Sequence, residues 1–150
     1  MEIKEALLLD AVSCLPEIKS KKRLLRQIAA VASNTYNIDY EIAYRGLLAR
    51  ENASSTGLGQ GIALPHARSE QFPTIVCTFT RLCRPIEYRA PDRRPVDLVF
   101  GIFAPMGSSV EYLKLLSSVA RNLRQEDVQR RLRSTESAEG LHLVMTENSD

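Results

Sequence analysis

The chain has 150 residues, and its 20 Lys and Arg against 18 Asp and Glu give a formal net charge of +2. Hydrophobic residues make up 44% of it and charged residues 25%, which excludes a disordered tail, a collagen-like chain and a small disulfide scaffold. The length fits a single domain, residues 1–150, that is large enough to bury a core without a metal or disulfide.

Two helices are predicted in the first third of the chain. Ser20 can cap a helix that runs to Ala32, and Asp39 can cap a second helix that has Arg50 near its end. Residues 34–37, between Ser33 and Asp39, are polar and are predicted to form the turn between the two helices. The apolar stripe of the first helix is Leu24, Ile28 and Val31, and that of the second is Ile42, Ala43 and Leu47.

Two strands are predicted in the middle of the chain. Residues 74–80 are rich in β-branched side chains and follow Pro73, which is typical of a strand. Residues 96–104 are almost entirely apolar, which favours a central strand that is covered on both faces.

Helices are predicted again in the last third. Ser108 and Glu111 have the spacing of a capping box, Glu126 to Leu132 forms a shorter helix, and Ser134 or Thr135 caps a last one. The helix after Ser108 is expected to bury Leu113, Leu116, Ala120 and Leu123, and the last helix Leu141 and Met145. This order predicts a mixed α/β fold with three layers, in which helices flank a small mixed sheet.

Residues 50–66 have the composition of a phosphate-binding site. Ser54, Ser55 and Thr56 supply hydroxyl groups, the glycines at 57, 59 and 61 allow backbone N–H groups to approach an anion, and His66 follows directly after a proline. Arg50 and Arg68 can add positive charge. A neutral imidazole can attack a phosphoryl group near pH 7, because an unperturbed histidine has a pKa of about 6.5. Neither a P-loop nor a dinucleotide fingerprint is present, and the spacing alone leaves a structural role for His66 open.

The stretch from Ser55 to His66, Ser-Thr-Gly-Leu-Gly-Gln-Gly-Ile-Ala-Leu-Pro-His, resembles the active-site signature of IIA components of the bacterial phosphotransferase system. These are the fructose/mannitol-type components (EIIA type 2), and the nitrogen-regulatory branch (IIA-Ntr) is the most similar. The resemblance continues through residues 85–86, 95–100 and 130–133, so it covers nearly the whole chain.

The resemblance implies a cytoplasmic phosphoryl relay. A phosphocarrier of the HPr or NPr type would phosphorylate the tele nitrogen of His66, and no metal or other cofactor is implied. By position, Arg50 matches the family's active-site arginine, and Ser55 and Thr56 match its hydroxyl pair. Tyr112 stands where family members commonly have a second histidine, so it can donate a hydrogen bond to phosphate but cannot titrate near pH 7.

Three functions stay open at this point. The leading hypothesis is a regulatory phosphoryl acceptor whose state controls binding to targets, for which the family suggests sensor kinases or potassium-transport regulators. One alternative is a stand-alone IIA that passes phosphate to a IIB sugar permease component, and another is a binding module that has lost phosphorylation.

Membrane insertion and nucleic-acid binding are not expected. The longest apolar stretch, residues 98–104, is far shorter than the ~20 residues of a spanning helix, and the first residues do not resemble a signal peptide. The arginine-rich runs at 81–94 and 121–133 lack interleaved aromatic residues, which leaves solvated surface or a docking face for an acidic protein. The three cysteines are expected to be reduced packing residues.

Overall fold

A computed structural model describes residues 1–147 of the chain. The helices are α1 (Ile3–Ala6), α2 (Lys21–Tyr36), α3 (Tyr40–Ala53), α4 (Ser109–Leu123), α5 (Glu126–Arg133) and α6 (Ala138–Glu147), and a 3-10 turn covers Leu9–Ala11. The strands are β1 (Val12–Leu15), β2 (Gly57–Gly59), β3 (Ile62–Ala63), β4 (His66–Arg68), β5 (Val76–Ile86) and β6 (Val96–Ala104).

Strand β6 is the central strand of a mixed sheet with the order β1-β5-β6-β3-β2, and β4 pairs with β6 as well. It runs antiparallel to β5 and parallel to both β3 and β4. The predicted bounds of this strand are confirmed. Strand β5 begins at Val76 rather than Thr74 and continues to Ile86, because its ladder with β6 resumes after an irregularity that follows Arg81.

Side chains along β6 alternate between two hydrophobic cores. Phe100 and Ile102 lie in a core that includes α4, α5, α6 and the N-terminal segment. Val99 and Phe103 lie in a second core, which is formed mainly with α2 and α3. Successive strand residues point to opposite faces of a sheet, so helices cover both faces and the predicted three-layer α/β/α architecture is confirmed.

The turn predicted at 34–37 is wrong for residues 34–36, because α2 continues to Tyr36 and ends at Asn37, which has a left-handed conformation with φ 59°. Tertiary contacts hold this last turn. The Tyr36 hydroxyl lies 2.8 Å from the carbonyl oxygen of Cys77 and 3.0 Å from the backbone nitrogen of Leu8. The helix caps predicted at Ser20 and Asp39 are confirmed by hydrogen bonds from backbone N–H groups.

The prediction for α4 is wrong in two respects. The Ser108 hydroxyl donates to the carbonyl of Pro105 instead of capping the helix, so the expected capping box is not formed. Of the predicted stripe, Leu123 is buried and Leu116 and Ala120 pack partly buried against the core, but Leu113 is 58% exposed. The side chains that it buries are Tyr112, Leu115, Val119, Asn122 and Leu123.

The C-terminal helices are close to their predictions. Helix α5 ends at Arg133, one residue beyond the predicted Leu132. Helix α6 begins later than predicted, because the Ser137 hydroxyl, rather than Ser134 or Thr135, accepts from the backbone N–H of Gly140. Its predicted core residues, Leu141 and Met145, are buried.

Candidate functional site

His66 is the first residue of β4, and its imidazole is held from both sides. Nδ1 lies 2.7 Å from the carbonyl oxygen of Leu64, and Nε2 lies 3.2 Å from Nε of Arg50. A carbonyl oxygen only accepts hydrogen bonds, so Nδ1 carries the proton of the neutral ring. Nε2 is then unprotonated, and its lone pair accepts the hydrogen bond from Arg50.

The surroundings of His66 favour the neutral ring. Burial lowers the pKa of His66, and the positive charge of Arg50 lowers it further. The hydrogen bond to Leu64 and the negative charge of Glu51 act in the opposite direction, but the net pKa lies below the ordinary value. The imidazole is therefore uncharged and nucleophilic at neutral pH.

Arg50 lies in the last turn of α3, where a second set of contacts fixes its guanidinium. Its Nη1 donates to the backbone carbonyl of Ser54 at 2.8 Å and lies 3.2 Å from the Ser54 hydroxyl. Nε remains directed at His66. The end of α3 and the start of β4 thus bring together Arg50 and His66, both of which are candidate site residues from the sequence.

A cavity of about 520 Å³ opens beside this pair. Ser55 and Thr56, the two hydroxyl residues expected to support phosphate, border it together with Gly57. Its other wall is the face of α4 that the sequence analysis expected to be buried in the core. The lining residues on that side are Leu113, Leu116, Ser117 and Ala120.

Only one of the three alternating glycines lies at this cavity. Gly57 borders it, and its N–H donates to the Ser55 hydroxyl at 3.1 Å. Gly59 and Gly61 have φ values of 89° and 81° and form the turn between β2 and β3. Their conformation is left-handed, which a glycine adopts without strain, so they serve the hairpin rather than an anion.

The Thr56 side chain belongs to a buried polar network that the sequence analysis missed. Its hydroxyl donates to a carboxylate oxygen of Glu51 and lies 3.0 Å from the Tyr88 hydroxyl. Tyr88 donates to Glu51 at 2.7 Å, and Nζ of Lys21 lies 2.8 Å from the same carboxylate. The Thr56 backbone N–H also donates to Glu51, so this carboxylate fixes the start of the loop that borders the cavity.

Glu51 is ionised in this network. Burial alone would raise its pKa, but the hydrogen bonds from Lys21, Thr56 and Tyr88 together lower it. The only sequence signal for this residue is its place next to Arg50. Nothing in the sequence connects it to Lys21 or Tyr88, which are 30 and 37 positions away.

Tyr112 lies against the candidate histidine, as its position in α4 predicts. The two ring centroids are 6.2 Å apart, and the Tyr112 side chain is almost completely buried. Burial raises the pKa of its phenol, although the charges of Arg68 and Arg50 oppose this. The hydroxyl is thus neutral and able to donate a hydrogen bond at physiological pH.

Arg68 is held by the loop before α4 rather than pointing freely into solvent. Its Nη2 donates to the carbonyl of Met106 at 2.7 Å and lies 3.2 Å from the Ser109 hydroxyl. The guanidinium carbon stands 4.7 Å from the centroid of the Tyr112 ring. Arg68 therefore fixes Tyr112 and the start of α4.

Across residues 1–147, no cluster of three or more His, Cys, Asp or Glu side chains could hold a metal ion. In the same part of the chain, no helix combines the length and the apolar character that crossing a membrane requires.

Comparisons with known proteins agree with this geometry. The chain is 34% identical over 145 residues to the nitrogen regulatory protein of Bradyrhizobium diazoefficiens, which covers 97% of this chain and 95% of the relative. It is 34% identical over 109 residues to a fructose-specific EIIA component of a PTS system from Haloferax volcanii, which covers 73% and 71% respectively. The crystal structure of the nitrogen regulatory protein IIA-Ntr from Neisseria meningitidis superposes with a TM-score of 0.91 at 33% identity, over 96% of this chain and 99% of that one.

A family model also matches almost every residue that the structure describes. The model of the phosphoenolpyruvate-dependent sugar phosphotransferase system EIIA 2 family matches residues 6–148. This range contains the cavity, each side chain of the site and every residue of the two cores except Ile3. The chain therefore belongs to the EIIA type 2 family of the phosphotransferase system, as its resemblance to that family predicted.

Proposed function

We propose that residues 1–150 form a regulatory phosphoryl acceptor of the nitrogen-type phosphotransferase system, acting in the cytoplasm. The phosphoryl donor is a phosphocarrier of the HPr or NPr type, and the acceptor is the tele nitrogen, Nε2, of His66. The observation that carries the proposal is the hydrogen bond from Nδ1 of His66 to Leu64, because it leaves the lone pair on Nε2. The relation to IIA-Ntr proteins supports the nitrogen branch.

The chemical step needs only groups that this chain and the carrier supply. The lone pair of Nε2 attacks the phosphorus of the carrier's phosphohistidine. The new N–P bond forms as the carrier's N–P bond breaks, and the carrier's imidazole recovers the electron pair. Nδ1 keeps its proton throughout, so Leu64 holds the ring in the same orientation before and after transfer.

Arg50 has the clearest supporting role. Its guanidinium already faces Nε2, so a small shift lets it donate to the phosphoryl oxygens and stabilise their negative charge. Ser55 borders the cavity and can donate its hydroxyl to phosphate. Tyr112, whose ring lies beside that of His66, can donate its hydroxyl as well, whereas Thr56 contributes mainly by holding the loop through Glu51.

Regulation follows from the change in charge. A phosphoryl group adds negative charge and three strong acceptors to a cavity that borders the exposed Leu113. Target proteins that dock over this cavity therefore meet two different surfaces. We propose sensor kinases or potassium-transport regulators as the class of target.

The test is intact-mass analysis after incubation with phosphoenolpyruvate, enzyme I and a charged phosphocarrier. We expect one acid-labile phosphoryl group on the wild type and none on His66→Ala. The matched control is His142→Ala, since the chain has two histidines and the His142 ring bonds to the Leu7 carbonyl, outside the site. A wild type that stays unmodified beside a charged carrier contradicts the proposal, as does a His66→Ala variant that is still phosphorylated.

A role in sugar transport is the second candidate, and the similarity to the fructose-specific EIIA component favours it. A transfer assay separates the two. In the regulatory case, the phosphoryl group of His66 stays on the chain when IIB domains are added. Rapid transfer to a fructose or mannitol IIB domain would establish the transport role instead.

A further inference from the structure

A pair of thiols lies at the β1 edge of the sheet. Cys14 in β1 and Cys83 in β5 have their Sγ atoms 4.0 Å apart. Cys83 is exposed and Cys14 is half-buried, whereas Cys77 is buried in the core. The expectation that all three cysteines are packing residues is therefore wrong for Cys83.

We propose that Cys14 and Cys83 are a reversible redox site, which forms an intramolecular disulfide by exchange with a small-molecule disulfide such as oxidised glutathione. The two strands run parallel, and Cys14 pairs with Arg81 in the register. Cys83 follows Arg81 by two positions, so its side chain lies on the same face of the sheet as that of Cys14.

The backbone around Cys83 can adjust to the shorter distance of a bond. A disulfide requires the sulfur atoms to approach from 4.0 Å to about 2.0 Å. Leu15 and Leu82 form the last pair of the ladder between β1 and β5. The ladder between β5 and β6 is irregular from Arg81 to Ile86. Cys83 thus lies beyond the last pair of the ladder with β1 and within the irregular part of the ladder with β6. Small shifts of the strand and rotation of the Cys83 side chain can therefore bring the two sulfur atoms together.

The surroundings assign different roles to the two thiols. Cys83 is exposed, so it is the sulfur that an external disulfide can reach. Burial raises the pKa of the Cys14 thiol, so this thiol stays protonated and does not attack the external disulfide directly. The guanidinium of Arg81 lies 3.8 Å from Sγ of Cys14 and stabilises its thiolate when the second step takes place.

The exchange is balanced in two steps. The Cys83 thiolate attacks one sulfur of oxidised glutathione, whose S–S bond breaks and releases one glutathione thiolate. The Cys14 thiolate then attacks Sγ of Cys83 in the mixed disulfide, and the second glutathione thiolate leaves. The two cysteines are oxidised, and one molecule of oxidised glutathione is reduced. The two protons that the cysteines release are taken up by the two glutathione thiolates.

The test uses the full reduced chain incubated with oxidised glutathione, followed by alkylation of free thiols and intact-mass analysis. In the wild type we expect the loss of two hydrogen atoms and no retained glutathione, with Cys14 and Cys83 joined in the non-reduced peptide map. Cys14→Ser is expected to retain one glutathione on Cys83, because the second step has no nucleophile. Cys83→Ser is expected to remain unmodified.

Cys77 provides an internal control, because burial raises the pKa of its thiol and it is completely enclosed. It should be alkylated only after denaturation. A wild type that accumulates the mixed disulfide to the same level as Cys14→Ser overturns the proposal. A wild type that does not react, or that joins Cys77 to another cysteine while still folded by circular dichroism, overturns it as well.

Discussion

Replacing Tyr88 with phenylalanine tests the buried network that holds the cavity loop. The Tyr88 hydroxyl is fully buried and donates to the ionised Glu51 at 2.7 Å. A hydrogen bond to a charged group contributes about 1.5–3 kcal/mol, and the ring keeps its volume, so we expect the free energy of unfolding to fall by this amount. Lys21 retains its position 4.1 Å above the ring, because phenylalanine preserves that contact.

Urea unfolding at pH 7 measures the loss. With a slope of about 2 kcal/mol per molar urea, the midpoint should fall by about 1 M. The matched control is Tyr44→Phe on α3, a partly exposed ring that stacks on Tyr40 at 6.1 Å, for which we expect a change within about 0.5 kcal/mol. In the background of Glu51→Gln the Tyr88→Phe loss should shrink, because the acceptor is no longer charged. An equal loss in both backgrounds, or a loss of less than about 0.5 kcal/mol, would refute the argument.

Three further predictions concern Glu51, Arg50 and Tyr112. The hydrogen bonds that lower the pKa of Glu51 stabilise the fold above the pKa of about 4.3 of an unfolded glutamate, and this contribution disappears as the pH falls through the lower folded value. Urea unfolding of Glu51→Gln between pH 7 and pH 3 should therefore depend less on pH than that of the wild type. Arg50→Met should raise the pKa of His66, since the guanidinium charge lowers it, and an unchanged NMR titration would contradict this. Tyr112→Phe should slow phosphorylation of His66 in a rapid-quench assay while Tyr112→His restores or increases the rate, and equal rates in all three proteins would exclude a role for the hydroxyl.

The parts of the fold that the sequence predicted correctly are those with local signals. Ser20 and Asp39 each bond a backbone N–H three residues away, and β6 is apolar except for Asp97. His66 and Arg50 were found together because one glycine-rich segment contains both. In each case the residues that decide the structure are close in the chain, so a pattern of a few positions is enough.

The parts that were missed depend on contacts between distant residues. Strand β1 has only four residues and is defined by its pairing with Val76–Ile86, which no local pattern reveals. Helix α2 is prolonged because the Tyr36 hydroxyl bonds to the backbone of residues on other elements. In α4, the sequence pattern placed Leu113 in the core, whereas its side chain faces the cavity. Apolar periodicity alone does not distinguish a core face from a binding surface.

The side chains around His66 are held in place by the helices and strands that carry them. His66 is held by β4 and Leu64, Arg50 by the end of α3, and the loop between them by Glu51, so every group near Nε2 is anchored to a rigid element. Phosphorylation in the proposed mechanism then changes the charge of the cavity without requiring a rearrangement of the fold. In the proposed function, the signal to a partner is this change in local charge, because the cavity lies beside the exposed Leu113 of α4, where a docking protein would meet the phosphoryl group.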